Sequence, residues 1–551
     1  MKIFCSIFFV VVTSMYLNSQ CIPGEAKVVL DANSVNAHLS VAGALWQDGV
    51  GGYEVPFVDL PFKGPSAIYA GGLWLGGLTA GGDLKVAAQE YSGAGGRDYS
   101  PGPLSEQGIT TAFDCINWDR FWEVSAAAVS LHVSDFEDGT IDLKQGDIYS
   151  WPGRGNPYFF GENGFDLPAD SGELAPFIDH NADGIYNPDD GDYPDIKGDK
   201  AIWWVINDAG STHTQSGGQP IGAQINCMAY GYSSDIDAFD QATYYVFSIY
   251  NKGPEDILDT YAGLWIDFDL GCFTDDRVAY DTTRNMVLVY NDDAVDGEVQ
   301  GCPGGASTYS EEPPVVGVRL IEDSNKVGVS SLGIINYRLI GASPATATPQ
   351  TSMEYYNYLM GKWRDGRPYT LAPDGYTGTD ETKYLGTEEY GELPGGLPTC
   401  NEHPAGDQRA IMSTSAGTLQ SGGAPLVLKY AVVFSREQDY PCPLWTSIQE
   451  VSDVVAEENI VATSVTSELV AAVAAYPNPV TDQLVVTWQE DPSVWPTRFT
   501  IVNSVGAVVS SQVASRSAQQ AIDTAGLLQG FYILQIADSR GGVSTLRFVK
   551  S

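Results

Sequence analysis

The sequence predicts a mainly β protein, with a large β-sandwich-like body that carries Asp-rich loops and a few short helices, and a small C-terminal Ig-like β-sandwich. Three observations predict this fold class. The 551 residues include 60 Gly, 31 Pro and 11% aromatic residues, whereas Lys and Arg number only 28, so the charged patterns of long helices are rare. Short β-branched and aromatic runs alternate with turn residues. The length is sufficient for several domains.

The chain begins with a predicted secretory signal peptide over residues 1–19. Lys2 precedes the apolar run Ile3–Val12, which is too short for a membrane span. The alternative is a lipoprotein signal that uses Cys21, but Gln20 stands where a lipobox has a small residue. No later apolar run reaches the roughly 20 residues that cross a bilayer, so the mature chain is expected to be soluble.

The charge balance excludes some partners. The formal net charge is −42, and such a chain is repelled by phosphate backbones and by anionic lipid surfaces. Nucleic acid is therefore not an expected partner. Many carboxylates suit a calcium-rich exterior, where bound divalent ions offset self-repulsion. Simple solubility is the alternative interpretation of the same charge.

Cysteine usage fits an exported protein. Seven cysteines remain once Cys5 is removed with the signal peptide: Cys21, Cys115, Cys227, Cys272, Cys302, Cys400 and Cys442. Because seven is odd, at least one is free or intermolecular. Export permits disulfides, and we expect Cys272–Cys302 and Cys400–Cys442 as pairs. A zinc site built on CxxC pairs is not indicated, since no CxxC occurs.

Residues 20–455 form the predicted β-rich body, as one unit or two subdomains. The clearest strand patterns are Ser66–Gly77, Leu84–Ala88, Ala201–Ile206, Tyr244–Tyr250, Thr260–Asp269 and Leu426–Phe434. Paired glycines in the first exclude a helix and allow close strand packing. Two helices are predicted, one from the apolar spacing of Met353–Trp363 and one from a capping-box pattern of Ser447 and Glu450. Residues 456–473 lose this patterning and are predicted to form a linker.

The strongest site prediction is a calcium-type loop within residues 179–195. Oxygen-bearing side chains occupy loop positions 1, 3 and 5, and a glycine at position 6 permits a sharp bend. The predicted ligands are Asp179, Asn181, Asp183, the Ile185 carbonyl, Asn187 and Asp190. Hard oxygen ligands favour calcium over zinc or copper.

Position 12 distinguishes this loop from an EF-hand. Asp190 stands where an EF-hand has the longer Glu, so Asp189 and Asp192 are alternative closing ligands. Three prolines close by exclude flanking helices. We therefore expect a calcium loop in a β context rather than an EF-hand sensor. The alternative is a solvated turn of Asp and Asn residues.

A second acidic cluster follows later in the body. Its members are Asp267, Asp269, Asp275, Asp276 and Asp281, with Asn291, Asp292, Asp293 and Asp296 further along. No single template fits this spacing. One hypothesis is a second calcium site. The other is a pair of catalytic carboxylates of a glycosidase, which requires two acids roughly 5–10 Å apart.

Nucleophilic catalysis is not indicated. The histidines are His38, His132, His180, His213 and His403, and no Gly-x-Ser-x-Gly, His-Glu-x-x-His or papain-like cysteine context accompanies them. We therefore predict no catalytic residue and no organic cofactor. The many Tyr and Trp residues are expected in the core, with a sugar-binding face as the alternative.

The last stretch of the chain carries a distinct order of features. Tyr476-Pro477-Asn478-Pro479 is a rigid entry turn, and short strand patterns follow to the end of the chain. With Ile501–Gly506, Leu528–Tyr532 and Phe548–Lys550, this order resembles the C-terminal sorting domain of the type IX secretion system of Bacteroidota over residues 474–551. The alternative is an ordinary Ig-like appendage.

The resemblance implies an export route and partners. In the family, this domain directs passage across the outer membrane through the type IX machinery. It is usually then removed, and the new end is joined to surface lipopolysaccharide. The chain is thus expected to be secreted, at the outer-membrane cell surface or outside the cell.

The body also resembles other secreted proteins that carry this sorting domain. The similar segments are Ala70–Gly77, Asp179–Gly184, Asp192–Pro194 and Thr274–Asp276. This resemblance implies no activity. We expect a non-enzymatic, calcium-stabilised surface protein, an adhesin or envelope component that contacts glycans or surface proteins. The alternatives are a carbohydrate-binding or glycoside-hydrolase protein and, with weaker support, a secreted peptidase.

Overall fold

The computed structural model describes most of the body and much of the C-terminal module. The described residues are 20–49, 51–57, 64–91, 95–168, 174–234, 236–297, 302, 307–335, 344–372, 374–386, 391–393, 397–399, 405–436, 445–458, 474–476, 480–488, 496–503, 508–515, 519–527, 530–538 and 543–550. The predicted signal peptide and most of the predicted linker lie outside them. The mainly β fold class is confirmed.

The strands of the body are, in chain order, β1 (Lys27–Leu30), β2 (Asn36–Ser40), β3 (Ala44–Leu45), β4 (Tyr53–Glu54), β5 (Ser66–Leu78), β6 (Leu84–Ala88), β7 (Ser100–Pro101), β8 (Trp122–Ser125), β9 (Phe177–Ile178), β10 (Tyr193–Pro194), β11 (Lys200–Asn207), β12 (Ala223–Gly231), β13 (Thr243–Asn251), β14 (Ile257–Phe268), β15 (Asp276–Asp281), β16 (Met286–Asn291), β17 (Pro314–Asp323), β18 (Ser331–Ile335), β19 (Tyr369–Thr370), β20 (Glu381–Thr382), β21 (Gly391–Leu393), β22 (Leu397–Thr399), β23 (Arg409–Leu419) and β24 (Leu426–Arg436). The helices are α1 (Ala112–Asn117), α2 (Ala126–Glu137), α3 (Gly146–Tyr149), α4 (Phe159–Asn163), α5 (Asp237–Asp240), α6 (Ser352–Leu359) and α7 (Thr446–Ala456).

Two large antiparallel sheets form the body. The first runs β1-β2-β3-β5-β14-β23-β18, with β4 and β6 attached to it. The second runs β15-β16-β17-β24-β13-β12-β11-β7, with β8 on β11. The central strands β11, β12 and β13 pair with one another over most of their length. On β12, Cys227 lies opposite Trp204 of β11 and Phe247 of β13.

The two faces of β11 show how the layers stack. Ile202, Trp204 and Ile206 lie in a core that contains residues of both large sheets, whereas Trp203 and Val205 lie in a second core. Helices and loops of the 118–186 segment, together with α7, pack against residues of the second sheet to form that second core. The second sheet is therefore covered on both faces, which explains its nearly continuous apolar strands.

Paired glycines in β5 permit the close packing that the sequence predicts. A Cβ on Gly72 would lie 2.2 Å from the carbonyl oxygen of Gln89, and one on Gly71 would lie 2.5 Å from the ring of Trp46. Any larger residue would push these neighbours away. β5 therefore packs directly against both of them.

Two helices were expected, and both occur. α6 overlaps the predicted Met353–Trp363 pattern and begins one residue before it, and α7 buries Ile448 and Val455 on one face. The predicted capping box at the start of α7 is wrong. Trp445 occupies the N-cap with a positive φ of 56° and no side-chain cap, so Ser447 lies inside the helix. The apolar segment before Ser134 contains an unpredicted helix, α2.

The cysteines confirm one predicted pair and add another. Cys272 is bonded to Cys302, as expected, and Cys21 is bonded to Cys115. Because its sulfur is bonded, Cys21 is not available for the lipid that the lipoprotein alternative requires. Cys227 is a free, buried thiol. The predicted partners Cys400 and Cys442 lie outside the described residues.

The C-terminal module has its own two sheets. Its strands are β25 (Ala474–Tyr476), β26 (Gln483–Thr487), β27 (Pro496–Asn503), β28 (Val508–Val513), β29 (Gln519–Asp523), β30 (Gly530–Asp538) and β31 (Val543–Lys550). One sheet runs β25-β26-β29 and the other β28-β27-β30-β31. Leu484, Ile522, Phe499 and Leu534 join the two sheets in one core, which makes the predicted small β-sandwich. None of the helices in the described residues is long and apolar enough to cross a bilayer.

Candidate functional site

The predicted calcium loop is closed by a two-stranded ladder. β9 and β10 pair antiparallel, with Ile178 opposite Tyr193, so the two ends of the loop are held side by side. Within the loop, Ala182 and Gly184 adopt positive φ values of 60° and 78°. These left-handed residues let the chain turn sharply.

The side chains at loop positions 1, 3 and 5 all accept hydrogen bonds from the loop's own backbone. The Asp179 carboxylate accepts from the amides of Asp183 (3.2 Å) and Gly184 (2.7 Å). Asn181 Oδ1 accepts from the amide of Asp183 (3.0 Å), and Asp183 Oδ1 accepts from the amide of Ile185 (2.8 Å). Each oxygen retains acceptor capacity beyond this bond, so these side chains hold the loop backbone and can still accept a further contact.

Asp192 lies beneath this loop. Its buried carboxylate accepts from the amides of His180 (2.8 Å) and Asn187 (2.8 Å). Burial raises the pKa of Asp192, the two amide bonds oppose that rise, and the charges of Asp179 and Asp183 add to it. Three carboxylates therefore lie within electrostatic reach of one another, an arrangement that a divalent cation would relieve.

The two other candidate closing ligands point elsewhere. Asp190 is exposed, and its carboxylate accepts a hydrogen bond from the side-chain amide of Asn187 (2.6 Å), which caps the 3-10 turn over Pro188–Asp190. Asp189 pairs with Lys144 (3.0 Å) and accepts hydrogen bonds from Tyr149 and Tyr158. Burial alone would raise the pKa of Asp189, but these three partners outweigh it and lower the pKa. Asp192 is thus the closing carboxylate that the geometry favours.

The second predicted cluster separates into four places. Asp281 pairs with Arg284 (3.0 Å) and accepts from Gln449 of α7 (2.9 Å), so it fastens that helix to β15. Asp292 pairs with Arg277 (2.5 Å). The remaining acids form a pocket group around Asp267 and Asp269 and a buried group around Asp275 and Asp276.

The pocket group lies in a cavity of about 480 Å³ whose lining includes Tyr69, Tyr91, Asp267, Asp269, Asp407 and Arg409. Arg409 lies 2.9 Å from Asp267 and 2.7 Å from Asp407, and the Tyr91 hydroxyl donates to Asp267 (2.6 Å). Burial raises the pKa of Asp267 to about 6. Burial and the charge of Asp267 raise the pKa of Asp269 to about 8.

Two groups in the described residues bring three acidic or sulfur ligand atoms within 4.8 Å of one another. One is Asp267, Asp269 and Asp407, and the other is Cys272, Asp275 and Asp296. The loop over 179–192 gathers no such trio. Of the weaker predicted ligands, Asp267 and Asp269 therefore converge with the unpredicted Asp407, and Asp275 converges with Asp296.

The described histidines hold structural positions. His213 is buried, with its ring nitrogens 2.7 Å from the Val86 carbonyl oxygen and 2.6 Å from that of Asp208. His132 of α2 lies 3.1 Å from the Asp192 carbonyl oxygen, and burial lowers its pKa. His180 is exposed, and its ring packs edge-on against Phe136 with the ring centroids 5.1 Å apart. The ring nitrogens of His132 and His213 that have hydrogen-bond partners contact backbone carbonyl oxygens.

Sequence reasoning missed the basic and aromatic members of the cavity. Arg409 begins β23 and Asp407 precedes it, whereas Tyr91 follows β6. No local motif marks these residues, because they meet the acids of β14 only through the pairing of β14 with β5 and β23.

The described residues form a mainly β body and a small β-sandwich with its own core near the C-terminus. Residues 474–551 match the family described as the secretion system C-terminal sorting domain. The chain therefore carries a type IX secretion C-terminal sorting domain over these residues. That domain directs it to the cell surface or the extracellular space through the type IX machinery.

Comparisons of the whole chain add little. No curated protein matches it. Among solved structures, it is similar to a protein titled polysaccharide lyase, at 9% identity and a TM-score of 0.18. The match covers 59% of this chain and 34% of that chain. This similarity is too low to support any conclusion on fold or function.

Proposed function

We propose that the body is a calcium-stabilised surface protein with an adhesive or envelope-structural role. Its sorting domain supplies export. After export, we infer that the domain is removed and that the body is held at the surface through lipopolysaccharide. The expected contacts of the displayed body are glycans or other surface proteins.

The observation that carries the calcium proposal is the loop between β9 and β10. Asp179, Asn181 and Asp183 accept from the loop backbone while Asp192 closes it from below. Oxygen ligands of this kind suit calcium. An ion that binds only the folded loop stabilises it by about 2.7 kcal/mol at a hundredfold excess over Kd.

The experiment is limited proteolysis of the exported protein with calcium and with chelator. Chelation is expected to expose the 177–195 loop to protease, while distant strands stay protected. Asp183→Ala should reproduce this in saturating calcium, because it removes a charged ligand. Asp192→Asn should do the same, and Asp190→Ala should not. Equal resistance of wild type and Asp183→Ala with and without chelator would show that the loop is a solvated turn.

A second candidate function is carbohydrate binding in the cavity around Arg409. The specific observation is that two tyrosine rings and three carboxylates line one opening, with Asp267, Asp269 and Asp407 oxygens within 4.8 Å. Sugar sites combine aromatic faces with carboxylates, and retaining glycosidases hold two carboxyl groups roughly 5 Å apart.

A glycan array and polysaccharide hydrolysis assays on the exported body test this second function. Asp269→Asn should abolish the binding or the hydrolysis of any glycan that the wild-type body binds or cleaves. Asp142→Asn, a change at an exposed acid outside the cavity, is the matched control. An effect of equal size in both variants would exclude the cavity as the site.

A further inference from the structure

The Cys272–Cys302 disulfide encloses a segment with four buried oxygen side chains. Asp275, Asp276, Asn291 and Asp296 are between 0% and 3% exposed, and all four lie between the bonded cysteines. Carboxylates are almost never buried this completely without a partner. Their number in one short segment therefore needs a physical cause.

Local structure places these residues in two neighbouring pairs, Asp276 with Asn291 and Asp275 with Asp296. Asp276 begins β15 and lies directly opposite Asn291, the last residue of β16, so their side chains share one face of the ladder. The Asp292 amide donates to the Asp275 carbonyl (2.7 Å) and continues the pairing by one residue. Asp275 and Asp296 then have carboxylate oxygens within 4.8 Å of each other.

The absence of a side chain at Gly271 leaves room for the Asp296 carboxylate. Gly271 has a positive φ of 68°, and a Cβ there would lie 1.9 Å from Asp296 Oδ2. Asp296 also accepts from the amides of Cys272 (2.9 Å) and Tyr309 (2.5 Å). The backbone is thus shaped around this carboxylate, which is not the behaviour of an incidental surface acid.

Three oxygens of the group have no hydrogen-bond partner. Asp275 uses Oδ2 to accept from the Gly297 amide (2.7 Å), and Asp276 uses Oδ2 to accept from the Leu270 amide (2.8 Å). Their Oδ1 atoms, and Oδ1 of Asn291, are buried and unpaired. Orphaned buried oxygens cost free energy and call for an unseen partner such as water or an ion.

The electrostatics point to a cation rather than to water alone. Within the described part of the chain, Asp275, Asp276 and Asp296 form no ion pair with a lysine or arginine. Carboxylates buried close together without a basic partner repel one another, and a bound cation would relieve that repulsion.

We propose that Asp275, Asp276, Asn291 and Asp296 bind a calcium ion inside the disulfide-closed segment. The ligands are hard oxygens, which suit calcium, and the Cys272 sulfur is bonded to Cys302 and is not a thiolate ligand. This site extends the calcium-stabilised body proposed above but stands independently of the 179–192 loop. Because the disulfide holds all four ligands in one ring, reduction of Cys272–Cys302 weakens binding.

The experiment measures bound calcium and thermal stability in the exported protein. Asp276→Asn keeps the side-chain shape and the acceptor for the Leu270 amide but removes one ligand charge. We expect it to lose one bound calcium ion relative to wild type. Asp292→Asn, whose carboxylate pairs with Arg277, is the matched control and should keep the wild-type calcium count.

Stability in two buffers separates a ligand from a merely structural residue. In calcium, Asp276→Asn should melt below wild type. In chelator it should melt at or above wild type, because it removes a buried charge. A variant that melts lower in both buffers with an unchanged calcium count would overturn the site. Equal occupancy by magnesium alone would overturn the choice of calcium.

The same measurements distinguish this site from the loop. Asp183→Ala is expected to lose a different ion, so the double variant with Asp276→Asn should lose both. If only Asp183→Ala changes the count, the buried site fails and the loop stands. If only Asp276→Asn changes it, the loop fails and the buried site stands.

Discussion

Glu90 offers the sharpest test of how burial controls acid chemistry in this body. Its side chain is 3% exposed, and it accepts a hydrogen bond from the Tyr355 hydroxyl (3.0 Å), which in turn accepts from Gln215 Nε2 (2.6 Å). Burial raises the pKa of Glu90 to about 7 from its ordinary value of 4.5, although the Tyr355 bond and the charge of Arg409 oppose the rise.

The sign of the pH dependence follows from linkage. A carboxyl whose pKa is higher in the folded state contributes stability that is complete below about pH 4.5 and is lost as pH rises through about 7. The full loss is about 3.4 kcal/mol, from (7 − 4.5) × 1.36 kcal/mol per pKa unit. Between pH 5 and pH 8 most of it, about 2–3 kcal/mol, is lost.

Glu90→Gln removes the titration and keeps an oxygen that can accept from Tyr355. The melting temperature of the variant minus that of wild type should therefore be near zero at pH 5. It should grow to a few degrees in favour of the variant at pH 8. Thermal unfolding at four pH values in one calcium-containing buffer measures this difference, with Glu106→Gln at an exposed position as the control. A difference that is the same at pH 5 and pH 8 would refute the reasoning.

Two further outcomes are expected. Arg409→Met leaves Asp267 buried without its cation and should cost about 3–5 kcal/mol at pH 8. The cost should be smaller at pH 5, where that carboxyl is protonated, and melting at both pH values checks the difference; a pH-independent cost would contradict the pair's role. Cys227 is buried and its pKa is raised well above the usual range by burial, so it should not react with a thiol reagent in the native protein. On unfolding without reductant, one thiol should appear if Cys400 and Cys442 are bonded as predicted, and three would show that they are not.

The fold class and the clearest strands followed from composition and local pattern. The Ala201–Ile206 pattern is β11, and the Leu426–Phe434 pattern lies within β24. Both strands are covered on two faces, so their apolar runs are strong local signals. α2 was not predicted, because its apolar residues follow directly after β8 and give weak helical periodicity. The boundary of α7 was also missed, since a left-handed Trp445 starts the helix where a side-chain cap was expected.

The candidate sites could be predicted only as far as the residues are neighbours in sequence. Asp189 and Asp192 have the same chemistry and nearly the same loop position. They differ in their partners. The Asp189 carboxylate pairs with Lys144 and accepts hydrogen bonds from Tyr149 and Tyr158, whereas the Asp192 carboxylate accepts hydrogen bonds from backbone amides. Likewise, Cys21 and Cys115 are 94 residues apart, and spacing gives no reason to pair them.

The acidic composition gives these observations a common cause. With 70 acidic and 28 basic residues, most carboxylates cannot pair with a lysine or arginine, so buried ones must use backbone amides. Asp208 accepts from three amides, those of Ile221, Gly222 and Ala223, and both of its oxygens are satisfied. Asp276 is equally buried but has one amide and one orphaned oxygen. The number of amide donors per buried carboxylate therefore separates acids that are fully hydrogen-bonded within the fold from acids that we propose bind a cation. The group of Asp275, Asp276, Asn291 and Asp296 has three buried oxygens without a hydrogen-bond partner. By that measure it is a stronger candidate for a cation site than the Asp-rich loop that the sequence favours.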